Sequence, residues 1–247
     1  MGFLLALRFL TALPLPPREV TPGELGRSMA YYPLVGALLG LTLAGTDSLL
    51  QYVFPSSVTS AILLVVLILL TGGLHLDGLM DSCDGLFGRR DPARRLEIMR
   101  DSRVGSFGVL GAVGLLIVMY TALSALAAPW RTGALVLMPV MGRWAMVLAL
   151  WGFPYARAEG LGRSFKEEVG WREVLAATVL AAAVAALSLG VVGIGILFIT
   201  GTGAWLLGSF IFTRIPGLTG DSYGAINGVV EVVSLLTVVA VARAGYG

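Results

Sequence analysis

Charge is scarce in this sequence: Asp, Glu, Lys and Arg make up 13% of its 247 residues, where a soluble domain carries roughly 25%. Cysteine and histidine occur once each. The lone Cys83 excludes an internal disulfide and leaves the redox compartment open. The lone His75 excludes a zinc site built on several histidines. No Walker-type phosphate loop, serine nucleophile elbow or dinucleotide fingerprint occurs. A net charge of +2 and a pI near 8.9 are too mild to imply a nucleic-acid partner.

What remains is apolar. Hydrophobic residues make up 57% of the chain and the mean hydropathy is +0.87, so the sequence reads as an all-α, polytopic integral membrane protein forming a single membrane-embedded domain over 1–247. The opening MGFLLALRFLTALPLPP is expected to form a short interfacial helix over 3–12 and not a secretory signal, because Arg8 interrupts it and no small-x-small cleavage site follows. Apolar runs predict about seven spans, near 31–53, 58–75, 108–128, 133–152, 174–190, 192–213 and 225–243. The fifth and sixth are divided only by the glycine-rich GVVGIG, read as a tight turn. Of the 17 basic residues, 14 fall before span one or in alternate loops: Arg8, Arg18, Arg27; Arg89, Arg90, Arg94, Arg95, Arg100, Arg103; Arg157, Arg163, Lys166, Arg172; and Arg214. The positive-inside rule then puts the N-terminus in the cytoplasm. Arg131 and Arg243 fall on the other side, and Arg143 within span four.

The densest chemistry lies in GGLHLDGLMDSCDGLFGRRDPARRLEIMRDSRVGSFG, residues 72–108. If span two continues inward as a helix, Asp77, Asp81 and Asp84 stand at i, i+4 and i+7 on one face. Like charges so placed cost about 0.2–0.5 kcal/mol per pair in water and more near a bilayer. A hard divalent cation compensates, and Mg²⁺ combines one or two carboxylates with waters and substrate phosphates. Arg100 and Arg103 are candidates for phosphate oxygens. Arg89, Arg90, Arg94 and Arg95 are read as orienting charges and contacts for anionic lipid headgroups. Asp91 followed by Pro92 reads as a helix start. His75, two residues before Asp77, is a candidate base or orienting group. A second constellation, GLTGDSYGAINGVVEV, sets Asp221 among Gly217, Gly220 and Gly224, with Asn227 and Glu231 sharing a helical face. Glu231 either pairs with Arg143 as a buried structural acid or meets substrate; Arg143, next to Gly142, is likewise a packing partner or a substrate contact.

Taken together, FLTALPLPP, YYPLVGALLG (31–40), GGLHLDGLMDSCDG (72–85), EIMRDSRVGSFGVLG (97–111), PYAR (154–157), GLG (160–162) and GLTGDSYGAINGVVE (217–231) resemble the cobalamin synthase family, the adenosylcobinamide-GDP ribazoletransferases, over nearly the full length. The resemblance implies a multi-pass enzyme of the cell inner membrane with its site on the cytoplasmic side. It would join adenosylcobinamide-GDP to α-ribazole or its 5′-phosphate with release of GMP, using Mg²⁺. It implies Asp77, Asp81, Asp84 and Asp101 as metal ligands or the hydroxyl-activating base, and Asp221 and Glu231 as completing the site. Arg100, Arg103, Asn227 and Arg143 are then the remaining candidate substrate contacts. The expected partners are the two substrates and membrane lipid; a homo-oligomer and hand-over from other cobalamin-pathway enzymes are compatible with the sequence. The chain departs from the family's usual small residues at Met80, Ser82, Cys83 and Phe87.

Two other readings compete. A CDP-alcohol phosphotransferase also sets clustered aspartates beside a span, but its D-x2-D-G-x2-A-R and G-x3-D-x3-D pattern is missing. A cation transporter would place its charges near the bilayer midplane or on unwound mid-span segments, whereas these carboxylates gather at one edge.

Overall fold

The computed structural model describes residues 2–16, 19–88 and 91–245. Among them the helices are α1 (Gly2–Leu10), α2 (Glu24–Met29), α3 (Tyr32–Leu50), α4 (Ser56–Thr71), α5 (Leu74–Leu86), α6 (Pro92–Ile98), α7 (Ser106–Ser124), α8 (Trp130–Gly152), α9 (Leu161–Glu168), α10 (Trp171–Phe212) and α11 (Gly220–Arg243). Arg18, Arg89 and Arg90, read above as orienting charges, lie outside the described residues. Five helices are long and apolar enough to cross a membrane, six when the bent α4–α5 pair is taken as one span.

Helix α8 is the hub, with α3, α10 and α11 packed around it and most of its residues buried. Small residues set the closest contact. Gly36 and Gly40, four apart on α3, lie against the α8 backbone, where an added Cβ would stand 2.6 Å from Pro139 O and from Val136 Cα, respectively. Lipid offers no hydrophobic drive for helices to associate, so such approaches, which gain dispersion contacts, carry much of the packing. The expected turn between the fifth and sixth spans lies inside α10, where Leu189 and Gly190 are non-helical. The chain reverses there. Gly193 comes close enough to Ala185 that a Cβ would collide with the Ala185 carbonyl, and Trp144 of α8 bonds Thr178 at 3.0 Å while its ring touches Gly201.

One expectation is corrected. Span two does not continue inward as a helix: Gly72 (φ 62°) and Gly73 (φ 73°) both take left-handed conformations, and α5 leaves α4 at 91°. A left-handed glycine is a common helix stop because it lacks the Cβ that such a φ disfavours. The aspartates thus ride a separate helix, with their spacing intact. A second correction concerns Arg95. Its buried guanidinium donates to the carbonyls of Gly85, Leu86 and Gly88 at the C-terminal end of α5, a helix-end role in place of a lipid contact. Asp91 caps α6 as expected, its Oδ1 accepting from Arg94 N at 2.9 Å.

The sequence reading also passed over Asp47. It is buried in α3 and paired with Arg131 at 2.8 Å; Arg131 donates further to Ser60 Oγ at 3.1 Å and to the Leu123 carbonyl. Four helices meet on this guanidinium, about 22 Å along α3 from Tyr32 at the other end of the bundle. Removing one partner strands the other charge. Asp47→Ala should therefore cost about 3–5 kcal/mol, read as a lowered denaturation midpoint in nanodiscs. The exposed Arg163–Glu167 pair, broken by Glu167→Ala, should cost under about 1 kcal/mol; equal losses at the two sites would refute the anchoring role.

Candidate active site

Helices α5 and α11 cross where both lack side chains. A Cβ on Gly78 would stand 2.9 Å from Asp221 O, and one on Gly224 would stand 3.2 Å from Gly78 Cα. This contact brings the α5 aspartates to Asp221, so that the Asp81 carboxylate feels the charges of Asp221, Asp77 and Asp84 and the opposing charge of Arg157. Beside the crossing opens a cavity of about 590 Å³ whose wall includes His75, Asp77, Arg100, Tyr155, Arg157, Glu159, Asp221 and Tyr223. Phe9 of α1, Tyr32 of α3 and Phe165 of α9 close its apolar side, the rings of Phe9 and Phe165 being 4.9 Å apart. The loops predicted to be basic meet at this end: Ala156 N donates to Leu218 O at 2.8 Å, and Arg157 Nη2 to Met99 O at 3.4 Å.

Not every predicted residue shares this space. Asp77, His75, Arg100 and Asp221 line the cavity, and Asp81 stands one turn further along α5, half-buried. Asp84 is buried and turned to the start of α7, its two oxygens accepting from Gly105 N at 2.8 Å and Gly108 N at 2.9 Å. Asp101 forms a loop pair with Arg103 at 2.6 Å. The Arg103 hydrogen bonds hold its carboxyl down to about 2, so as pH falls this pair persists until that value is approached. Arg143 and Glu231 make a buried ion pair between α8 and α11. With Asn227 they line a narrow inner space of about 40 Å³ whose remaining wall is mainly apolar. His75 belongs to both spaces.

Sequence reasoning missed Arg157, counted above only as an orienting charge. It bonds Asp221 Oδ2 at 2.8 Å, and its Nε is buried without a partner among the described residues. The hydroxyls of Tyr32 and Tyr223 and His75 Nε2, on the same wall, are likewise unsatisfied. The presence of Arg157 within PYAR was the available signal.

The donor set fits a hard cation of the Mg²⁺ type. Among the described residues no three His, Cys, Asp or Glu side chains form a ready metal cage, but Mg²⁺ needs only one or two carboxylates when phosphates and water complete its shell. The carboxylates of Asp77 and Asp81 have no hydrogen-bond or ion-pair partner among the described residues.

A helical membrane protein with carboxylates and arginines converging on one cavity is the class that fold and site define. The sequence matches the family model described as cobalamin-5-phosphate synthase over residues 2–239. It is 41% identical over 228 residues to an adenosylcobinamide-GDP ribazoletransferase of Desulforamulus reducens, covering 92% of this chain and 91% of the relative. A Desulfitobacterium hafniense protein of the same name is 41% identical over 244 residues, 94% of each chain. One from Syntrophobacter fumaroxidans is 42% identical over 237 residues, 93% of this chain and 94% of the relative. No solved structure matches. The chain belongs to the cobalamin-5-phosphate synthase family and is a transferase of cobalamin biosynthesis.

The geometry separates Asp84 from Asp77. Asp84→Ala removes a charged acceptor from two backbone N–H groups and should lower stability by about 1.5–3 kcal/mol, whereas Asp77→Asn should leave the unfolding midpoint within about 0.5 kcal/mol of wild type. Denaturant unfolding of both variants in one membrane mimic checks this; equal destabilisation would contradict the division of roles.

Proposed function

We propose that the protein completes the nucleotide loop of cobalamin by joining adenosylcobinamide-GDP to α-ribazole or its 5′-phosphate, with release of GMP. The observation that carries this reading is the single cavity whose wall holds Asp77 and Asp221 together with Arg100 and Arg157. Those are the group types that phosphoryl transfer between a diphosphate and a hydroxyl requires. The names of the relatives supply the substrates.

In this reading Arg100 and Arg157 bind the diphosphate oxygens and place fixed positive charge where negative charge grows. Asp77 and Asp81 would hold Mg²⁺, which when bound would neutralise the phosphate oxygens and ease departure of the leaving group. Asp221 Oδ1 accepts the proton of the attacking ribazole hydroxyl, because Arg157 and Thr219 both bond Oδ2. The hydroxyl oxygen forms the new P–O bond, the diphosphate P–O bond breaks, and GMP leaves with the electron pair. His75 is buried two residues before Asp77 and lines the same wall. The clustering of Arg100, Arg157 and Arg214 at one end, under the positive-inside rule, supports a cytoplasmic site in the inner membrane and a cytoplasmic N-terminus.

Purified protein in nanodiscs with adenosylcobinamide-GDP, α-ribazole and Mg²⁺ should release GMP and form cobalamin. A chelator should stop turnover and added Mg²⁺ restore it. Asp81→Asn should lower kcat by about 10²–10³, the scale for losing a preorganised charge at a developing one. Wild-type protein that forms no cobalamin but exchanges cations across liposomes would sink the assignment.

A further inference from the structure

The segment after α8 pairs at Tyr155 with Leu218 as an isolated parallel bridge and bends at 158–160. Tyr155, Arg157 and Glu159 all line the cavity, whereas Ala156 and Ala158 do not. An aromatic ring, a guanidinium and a carboxylate thus stand in order along one edge. The ring has its own berth, since a Cβ on Gly162 would lie 2.6 Å from it. Arg157 keeps a buried Nε without a partner. The carboxylate of Glu159 has no hydrogen-bond or ion-pair partner among the described residues.

We infer that this strip seats the departing nucleoside monophosphate, with Glu159 selecting guanine; the inference rests on the function proposed above. Tyr155 offers a face for a base to stack on, an interaction every base can make. Arg157 takes phosphate oxygens. Selection falls to Glu159. An ionised carboxylate only accepts hydrogen bonds, and guanine presents two adjacent donors, N1–H and the 2-amino group. Adenine presents a donor beside an acceptor nitrogen, which leaves one carboxylate oxygen facing a lone pair. The cavity of about 590 Å³ falls within the range of about 300–1,000 Å³ usual for small-molecule sites, a size that takes a nucleotide. A second, more open hollow shares Phe9, Leu74 and Asp77 with this cavity.

Equilibrium binding of GMP, IMP and AMP to the full-length protein in nanodiscs tests this, with turnover of adenosylcobinamide-GDP measured on the same preparation. GMP should bind at least about tenfold tighter than AMP, with IMP, which lacks the 2-amino group, between them. Glu159→Gln and Glu159→Ala should bring GMP and AMP to within about threefold of each other while AMP binding changes little. Equal binding of GMP and AMP by wild type overturns the inference without any variant having to fold. So does a preference that survives both substitutions, or α-ribazole binding to a protein that does not bind GMP. Turnover without base preference removes this inference alone, whereas absence of turnover removes the proposed function beneath it.

Discussion

Carboxylates on two helices can share one wall only if the backbones between them nearly touch, and in this protein that contact is made by Gly78 of α5 and Gly224 of α11. Any side chain at either position would meet Asp221 backbone, the other glycine or the His75 carbonyl. Asp77, Asp81 and Asp221 would then move apart, together with Arg157, which is tied to Asp221. The cavity is a product of this crossing more than of any single polar residue.

The crossing in turn requires that α5 exist as a helix of its own. A straight continuation of α4 could not turn through the 91° that lays α5 along α11. Breaking a helix within apolar surroundings exposes backbone groups that must be satisfied locally. Here Gly72 N and Gly73 N donate back to Leu69 and Ile68 carbonyls, and Arg95 covers the far end of α5. The carboxylate of Asp84 then ties α5 to the start of α7, where the helix dipole favours negative charge. Asp84 is thus part of the frame that holds its neighbours.

Two buried ion pairs brace the hub helix at different levels, Arg131 with Asp47 and Arg143 with Glu231. Such pairs do not stabilise strongly against a well-packed apolar alternative. Once one charge is present in a region of low dielectric, however, the other is required, and the pairing fixes which faces of α3, α8 and α11 meet. Arg143, Glu231 and Asn227 adjoin the cavity through His75 and are not part of its main wall.

Much was legible in the sequence because it depends on one segment at a time. Apolar runs marked the long apolar helices, and the glycine-rich GVVGIG marked the break that falls at Leu189 and Gly190 inside α10; Asp-Pro marked the start of α6; the four-then-three spacing put Asp77, Asp81 and Asp84 on one helix. What a side chain does once its helix meets others was not legible. Asp47 and Arg131 lie 84 positions apart and Arg157 and Asp221 lie 64 apart, so no periodicity or motif spacing links them. Periodicity reports which face of a helix is buried, but only packing decides what that face meets. Thus the sequence alone determined a helical membrane protein with an acidic, arginine-rich edge, and the tertiary structure decided that Asp77, Asp221 and Arg157 share a cavity while Asp84 is turned away, because backbone contact at two glycines and a bend at two others set the distances between segments.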